Sequence, residues 1–157
     1  MPGQSKLTAA RLLTEADVKE FAGGAEFTRE DGAMGSPNIV SVRVKPGDEY
    51  SHYLMLYLEP LPAEIKSYPD YVKDRVEQSA APTGEDEKRV DCSLPGAAAA
   101  GCKEIKSPFG SFREDQRVAK VAFGKGRNFV RIEMFRDYKA DFPAAIKLAQ
   151  KVLARLP

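Results

Sequence analysis

The chain has no long hydrophobic run: none of its apolar stretches approaches the roughly eighteen residues that a membrane-spanning helix requires. It also has no excess of one charge, because 24 lysine and arginine residues balance 23 aspartate and glutamate residues and leave a formal net charge of +1. Such a balance gives the protein no overall field that would attract nucleic acid or an anionic membrane surface. The sequence therefore predicts neither a transmembrane segment nor a nucleic-acid partner.

Histidine is scarce, and this limits both metal and acid–base chemistry. His52 is the only histidine, and together with two cysteines it falls short of a tetrahedral zinc set. A hydrolase centred on His52 would need a nucleophile beside it, and neither Ser51 nor Tyr53 is marked as one by its context. The acidic runs at 85–87 and 114–115 lie in segments predicted to be solvated, where carboxyl pKa values stay ordinary. We therefore expect no catalytic residue, no metal and no cofactor.

The N-terminus lacks the apolar core of a signal peptide, since it begins Met-Pro-Gly-Gln-Ser-Lys. Taken alone, this favours the cytoplasm. A start that replaces a cleaved signal would look the same, so an extracytoplasmic location stays open.

The two cysteines are the most informative polar residues in the chain. Cys92 and Cys102 enclose nine residues rich in glycine and alanine, a loop that can close without strain. An even count with one such loop favours a disulfide over two reduced, partly buried thiols. On the chain-entropy model the bridge would stabilise the fold by about 2–3 kcal/mol. A disulfide would also indicate an oxidising compartment, and thus export.

The last forty residues, 118–157, predict a strand, a glycine turn at 124–126, a second strand and a helix. In the second strand Val130, Ile132 and Met134 share one face, and Asp141 is placed to cap the helix. The helix carries an apolar stripe that would cover this hairpin: Ile146, Ala149, Leu153 and Leu156.

The rest of the chain alternates short elements with turns. A capping pattern at Thr14 and Asp17 starts a helix that ends at Gly23-Gly24. The further predicted segments are a loop at 25–38, strands at 39–45 and 52–59 joined by a turn at 46–48, a helix at 69–79, a solvated loop at 80–88, a short strand at 89–94, a small-residue loop at 94–101, an extended piece at 104–106 and a turn at 108–110.

A chain of 157 residues with 43% hydrophobic and 30% charged residues fits one soluble globular domain. We predict an α+β fold at 12–157, preceded by a flexible segment at 1–11. The domain should hold a mainly antiparallel sheet of about five strands with three helices packed on it.

A candidate binding face follows from the alternation within two of these strands. Tyr53 and Tyr57 alternate with leucines, and Phe129, Arg131 and Phe135 alternate with the apolar residues of the final hairpin. If the leucine and valine faces point inward, these five side chains share the opposite face of the sheet. Tyrosine and arginine are the residues most enriched at binding hot spots. The alternative, which is equally compatible with the pattern, is that a helix covers this face.

Several motifs together resemble a known group of proteins. The run 12–18, Leu-Leu-Thr-Glu-Ala-Asp-Val, is followed by a glycine pair, and a cysteine pair follows the central strands. A Phe-Gly turn at 109–110 then precedes a Gly…Val-x-Ile strand at 126–132 and an alanine-rich helix ending in Arg-Leu. This pattern resembles small secreted bacterial lipoproteins of unknown function. The resemblance implies an α+β domain exported to the cell envelope, and it carries over no catalytic residue.

Two functional hypotheses of different classes remain. The first is a non-enzymatic envelope or secreted module that binds a protein or a small molecule. The alternative is a cytoplasmic secretion chaperone or adaptor that acts as a dimer. Reduced cysteines or a large exposed apolar patch would favour the adaptor.

The cysteine pairing gives the first testable prediction. The intact mass of the unreduced protein should be about two daltons below that of the reduced protein, the two hydrogens lost on forming Cys92–Cys102. Labelling of both thiols in unfolded, unreduced protein would contradict the bridge, and with it the main argument for export.

Overall fold

The computed structural model describes residues 7–45, 50–106 and 115–157. Its elements in chain order are α1 (Ala9–Leu12), α2 (Glu15–Ala22), β1 (Phe27–Asp31), a 3-10 turn (Ala33–Gly35), β2 (Ile39–Val44), β3 (His52–Pro60), α3 (Tyr68–Ala80), β4 (Glu87–Val90), β5 (Ala99–Lys106), β6 (Arg117–Lys125), β7 (Asn128–Arg136), β8 (Lys139–Ala140) and α4 (Phe142–Arg155).

All the strands of these described segments belong to one sheet. The order across it is β1-β2-β3-β7-β6-β5-β4, with the short β8 paired to β7, and every pairing is antiparallel. The α+β prediction is confirmed. The sheet has eight strands where about five were expected, and four helices rather than three pack against it.

Most of the additional sheet lies in segments whose composition predicted loops. β1 falls within the expected loop at 25–38; its sequence, Phe-Thr-Arg-Glu-Asp, is largely charged because it forms an edge of the sheet, where charges block further strand pairing. β5 begins at Ala99, inside the expected loop at 94–101. β4 ends at Val90, earlier than the strand predicted at 89–94.

The predicted turns differ in how they compare with the structure. Strand pairing in the last hairpin continues to Lys125 and Asn128, so its turn narrows to the two residues between them. Gly126 adopts φ 58° there, a left-handed conformation that favours glycine. The turns expected at 46–48 and 108–110 lie outside the described residues.

The helix caps expected from the sequence are confirmed. Thr14 Oγ1 accepts from the Asp17 backbone N–H at 3.2 Å, and Asp17 Oδ2 accepts from the Thr14 N–H at 3.0 Å. Gly23 ends α2 in the left-handed conformation, and Asp141 Oδ1 accepts from the Ala144 N–H at 3.1 Å at the start of α4. The additional helix α1 begins at Ala9, which is fully buried although it lies within the segment expected to be flexible.

One face of the sheet, which we call the inner face, carries the main core. The helices α1, α2 and α4 pack on it. The buried side chains that strands contribute to this core include Val40, Val42, Leu54, Leu56, Val121, Phe123, Val130 and Ile132. Cys102 belongs to the same core and forms the predicted disulfide with Cys92 across a Cα–Cα distance of 6.0 Å.

On the opposite face, the outer face, α3 is the one helix of the described segments that packs, and it covers only part of the sheet. Val72 and Val76 of α3 pack with Phe129 in a separate small core. The helix comes so close to β5 and β6 that both carry glycine at the contact. A Cβ on Gly101 would lie 2.7 Å from the Ala80 Cβ, and one on Gly124 would lie 2.3 Å from the Val72 Cγ1.

This close contact generates the second prediction. Gly124→Ala should destabilise the protein by about 1–3 kcal/mol, because the added methyl group meets Val72 and the Asn128 carbonyl oxygen, 3.1 Å away. The measurement is urea unfolding followed by circular dichroism. Gly84→Ala is the matched control, since a Cβ there has no atom within 4 Å. Equal stability of the two variants would show that α3 does not dock at this distance.

Candidate functional site

The part of the outer face that α3 does not cover contains a groove of about 560 Å³. Small-molecule sites commonly measure about 300–1,000 Å³, so the groove is large enough for an organic ligand. We call it the aromatic groove; it is lined by Glu30, Ala33, Met34, Ser41, Arg43, Tyr50, Tyr53, Met55, Tyr57, Gln116 and Phe135.

Aromatic rings from neighbouring strands form its floor. Tyr53 of β3 pairs with Phe135 of β7, and their rings stack with centroids 5.6 Å apart and planes 11° apart. Tyr138 continues the stack against Phe135 at 5.9 Å. Met55, the next residue of β3 on the same face as Tyr53, adds a buried thioether. The floor is thus apolar and adaptable, because methionine fits irregular partners.

Tyr57 forms one end of the groove and marks its border with a second cleft. The Arg131 guanidinium lies 4.3 Å from the centroid of the Tyr57 ring. Burial raises the pKa of the Tyr57 hydroxyl to about 12, so this group is a neutral hydrogen-bond donor and acceptor at physiological pH. Arg131 itself lines the second cleft, which measures about 260 Å³ and also contains Arg75 and Glu59.

Four of the five side chains predicted for the binding face therefore come together. Tyr53, Tyr57 and Phe135 line the groove, and Arg131 lies on the Tyr57 ring. Phe129 lies apart, since it is fully buried beneath α3 with the Arg75 guanidinium 5.1 Å from its ring. The alternative expectation, that a helix covers this face, is therefore correct for the part of the face that contains Phe129.

Several groove residues were not predicted from the sequence, and three of them matter for what the groove could bind: Arg43, Tyr50 and Gln116. Arg43 and Tyr50 belong to β2 and the segment before β3, and Arg43 Nη1 donates to the Tyr50 hydroxyl at 3.0 Å. Arg43 lies on the opposite side of β2 from the core valines, and only the register to β3 brings it beside Tyr53. Gln116 had no pattern that could have identified it.

Gln116 is the most unusual polar group of the groove. It is only 1% exposed, and within the described part of the chain its Oε1 accepts no hydrogen bond. Leaving a buried acceptor unsatisfied costs about 1–3 kcal/mol. A ligand that donates a hydrogen bond in the groove would recover this energy.

A row of charges crosses the outer face beside the groove. In the strand register, Glu133 of β7 lies opposite Lys120 of β6, and Lys120 lies opposite Lys103 of β5. Burial raises the pKa of Glu133 and lowers that of Lys120, with their mutual attraction acting against both shifts. Lys103 is compensated separately, by an ion pair to Glu87 and a 3.1 Å hydrogen bond to the Ala81 carbonyl. Glu133 is attracted by Lys120, Arg131 and Lys103, and burial still raises its pKa above the ordinary value.

His52 lies at the start of β3, away from the groove lining. Its ring packs edge-on against Phe21 at 5.8 Å, and its Nδ1 accepts from the Asp137 N–H at 3.4 Å. The Asp137 carboxylate is 3.7 Å from Nδ1 but is largely exposed. Among the described residues no hydroxyl group bonds to the imidazole, and both cysteines are in the disulfide.

Two further features are absent from the residues that the structure describes. No group of three or more histidine, cysteine, aspartate or glutamate side chains is arranged to hold a metal ion. None of the helices is both long and apolar enough to cross a membrane.

Comparison with known proteins gives no match at any level: no family model fits the chain, and no curated protein and no solved structure is significantly similar to it. The candidate site therefore rests on its own geometry.

The buried charge row generates the third prediction. A carboxyl whose pKa in the folded state exceeds its unfolded value destabilises the fold when ionised. That penalty is absent well below the ordinary pKa of 4.5 and grows as the pH rises through the raised value. Glu133→Gln should therefore gain thermal stability relative to the parent as the pH is raised from about 4 to about 7.

The measurement is the difference in Tm between parent and variant across that pH range. Glu85→Gln, which changes an exposed carboxyl in a loop, is the control and should show a flat difference. If the Tm of the parent instead rises relative to that of Glu133→Gln as the pH increases, the attraction of Lys120 more than compensates the burial of Glu133.

Proposed function

We propose that this protein is a non-enzymatic binding module of the cell envelope or secreted space, and that the aromatic groove holds its ligand. The observation that carries the proposal is the unsatisfied Gln116 Oε1 among the residues that line a groove with aromatic rings and methionines. Binding sites for small molecules combine an apolar lining with a few placed polar groups, and the groove has this composition.

A small molecule is the form of ligand that the groove favours. Tyr53, Met55 and Phe135 are each less than a tenth exposed, so their apolar surface is recessed rather than presented on a flat patch. Among the described residues Met34 is the only large apolar side chain that is mostly exposed, at 78%. A dimeric adaptor would need a broader apolar patch. The adaptor hypothesis thus gains no support from the described surface.

Export is supported by the disulfide between Cys92 and Cys102. Such bridges persist in oxidising compartments and are rare in the cytosol. The resemblance to small secreted lipoproteins points the same way. Location outside the cytoplasm, after removal of a signal segment, is therefore part of the proposal.

Action without chemistry is supported by the state of the titratable groups. His52 has an exposed carboxylate on one side and a phenylalanine ring on the other. Glu133 and Lys120, the charged groups with shifted pKa values on the sheet face beside the groove, make no hydrogen bond to each other. Acid–base catalysis needs a donor and an acceptor positioned for proton transfer, and neither pair meets this requirement.

The fourth prediction tests the groove with phenylnaphthylamine, an uncharged aromatic probe whose fluorescence rises in apolar surroundings. The parent should bind it at a single site. Tyr57→Ala should weaken binding about tenfold, because it removes an aromatic wall of the groove. Fluorescence titration measures both affinities.

Tyr68→Ala is the matched control. Tyr68 is also half-buried and also carries an arginine over its ring, Arg127 at 5.1 Å, but it lies outside the groove lining. If both variants lose the same affinity for the probe, the probe does not bind in the groove. Failure of the folded parent to bind the probe would overturn the proposed function.

A further inference from the structure

We infer that the ligand of the aromatic groove is an amphipathic organic anion whose acidic group pairs with Arg43. The inference rests on the proposed function and adds the chemical class of the ligand. Its basis is a cation in the groove wall that the described part of the protein leaves without a carboxylate partner.

Most of the half-buried arginines among the described residues are paired with a carboxylate, and so is the exposed Arg89. Each of the following guanidinium–carboxylate pairs has an N–O distance of 3.0 Å or less: Arg29–Asp31, Arg75–Glu59, Arg89–Glu77, Arg136–Asp141 and Arg155–Asp17. Arg43 differs, because its only polar contact with described residues is the hydrogen bond to the Tyr50 hydroxyl. A neutral phenol positions the guanidinium and leaves its charge unneutralised.

Arg43 is also held in place. Its guanidinium carbon lies 5.4 Å from the centroid of the Tyr50 ring, in addition to the hydrogen bond to that residue's hydroxyl. Its backbone pairs with Tyr53, whose ring forms the groove floor. A fixed cation beside apolar surface interacts more strongly with an anion than an arginine free in water does, because fewer water molecules screen it.

The one acid that lines the groove does not neutralise Arg43. Glu30 of β1 is exposed and pairs in register with Ser41, while Arg43 pairs with Thr28. No Glu30 oxygen lies within 4 Å of the guanidinium. An acidic ligand group at Arg43 would form charge-assisted hydrogen bonds, which are about twice as strong as neutral ones.

The rest of the groove specifies the remainder of the ligand. Tyr53, Met55 and Phe135 favour an apolar body, and the unsatisfied Gln116 Oε1 favours a hydroxyl or N–H donor on it. An acidic group, an apolar body and a hydrogen-bond donor together describe an amphipathic acid, such as a hydroxylated fatty acid or an aromatic acid.

The fifth prediction compares two probes that share one aromatic body. Anilinonaphthalene sulfonate differs from phenylnaphthylamine by its sulfonate group. The parent should bind the sulfonate about tenfold more tightly than the uncharged probe, and Arg43→Gln should abolish this preference by lowering the affinity for the sulfonate far more than that for the uncharged probe. Arg43→Lys, which keeps the charge, should retain part of it.

Arg131→Gln is the matched control. Like Arg43, Arg131 lies on the ring of a groove tyrosine and has no carboxylate partner among the described residues. It differs in lining the neighbouring cleft. It should keep the preference for the sulfonate. If Arg43→Gln does not fold, Arg43→Met provides a second uncharged variant with a similar unbranched stem.

Competition identifies the kind of anion. Decanoate or naphthoate should displace the bound sulfonate, and decanol and naphthol should do so much less well. If only decanoate displaces the sulfonate, the ligand is a lipid-like acid. If only naphthoate displaces it, the ligand is an aromatic acid.

The outcomes separate this inference from the proposed function. If the uncharged probe binds in the groove and the sulfonate is not preferred, the inference of an anionic ligand is wrong and the groove is still the binding site. Loss of the preference on Arg131→Gln instead of Arg43→Gln would move the acidic group to the other cleft. Absence of binding by either probe would overturn the groove itself.

Discussion

The contact of α3 with two glycines determines which part of the outer face is covered. Gly101 and Gly124 let Val72 and Ala80 approach the backbone more closely than any side chain would allow. A helix is about 10 Å wide and strands lie about 4.8 Å apart, so one helix covers about two strands of a sheet in which seven lie side by side. Because α3 is held over β5 and β6, the outer side of β2 and β3 is left to other residues. The groove lies there.

The part of the outer face that α3 does not cover needs side chains that tolerate partial burial. Tyrosine, methionine and arginine have apolar stems or rings and polar or polarisable ends, so they can line a recess without requiring a helix above them. The central strands β3 and β7 supply these residues at alternate positions, while their other positions hold the leucines and valines of the inner core. The same alternation therefore produces both the core and the groove. Glu133 is the exception, since it brings a carboxyl into a region that raises its pKa.

The sequence predicted those parts of the fold that local chemistry determines. The capping box at Thr14, the glycine end of α2, the final hairpin and the cysteine pair depend on neighbours in the chain, and all are present. β1 could not be recognised, because an edge strand needs no apolar alternation and is specified by its pairing with β2. The candidate site was found in part for a related reason: alternation gives the face of a strand, whereas the order of strands decides that Tyr53 meets Phe135 and that Phe129 lies under α3.

Much of the stability of the fold comes from the inner face rather than from the groove. Arg155 at the end of α4 donates to Asp17 at 2.5 Å and to the Leu12 carbonyl at 2.8 Å, which ties α4 to both N-terminal helices. The disulfide adds a covalent link on the same side, where Cys102 is fully buried. The groove residues make no contribution to these contacts, and Gln116 even reduces stability by leaving an acceptor unsatisfied. A protein under selection for stability alone would fill that position with an apolar side chain, and in the function proposed above the glutamine is the group that a ligand's donor would satisfy.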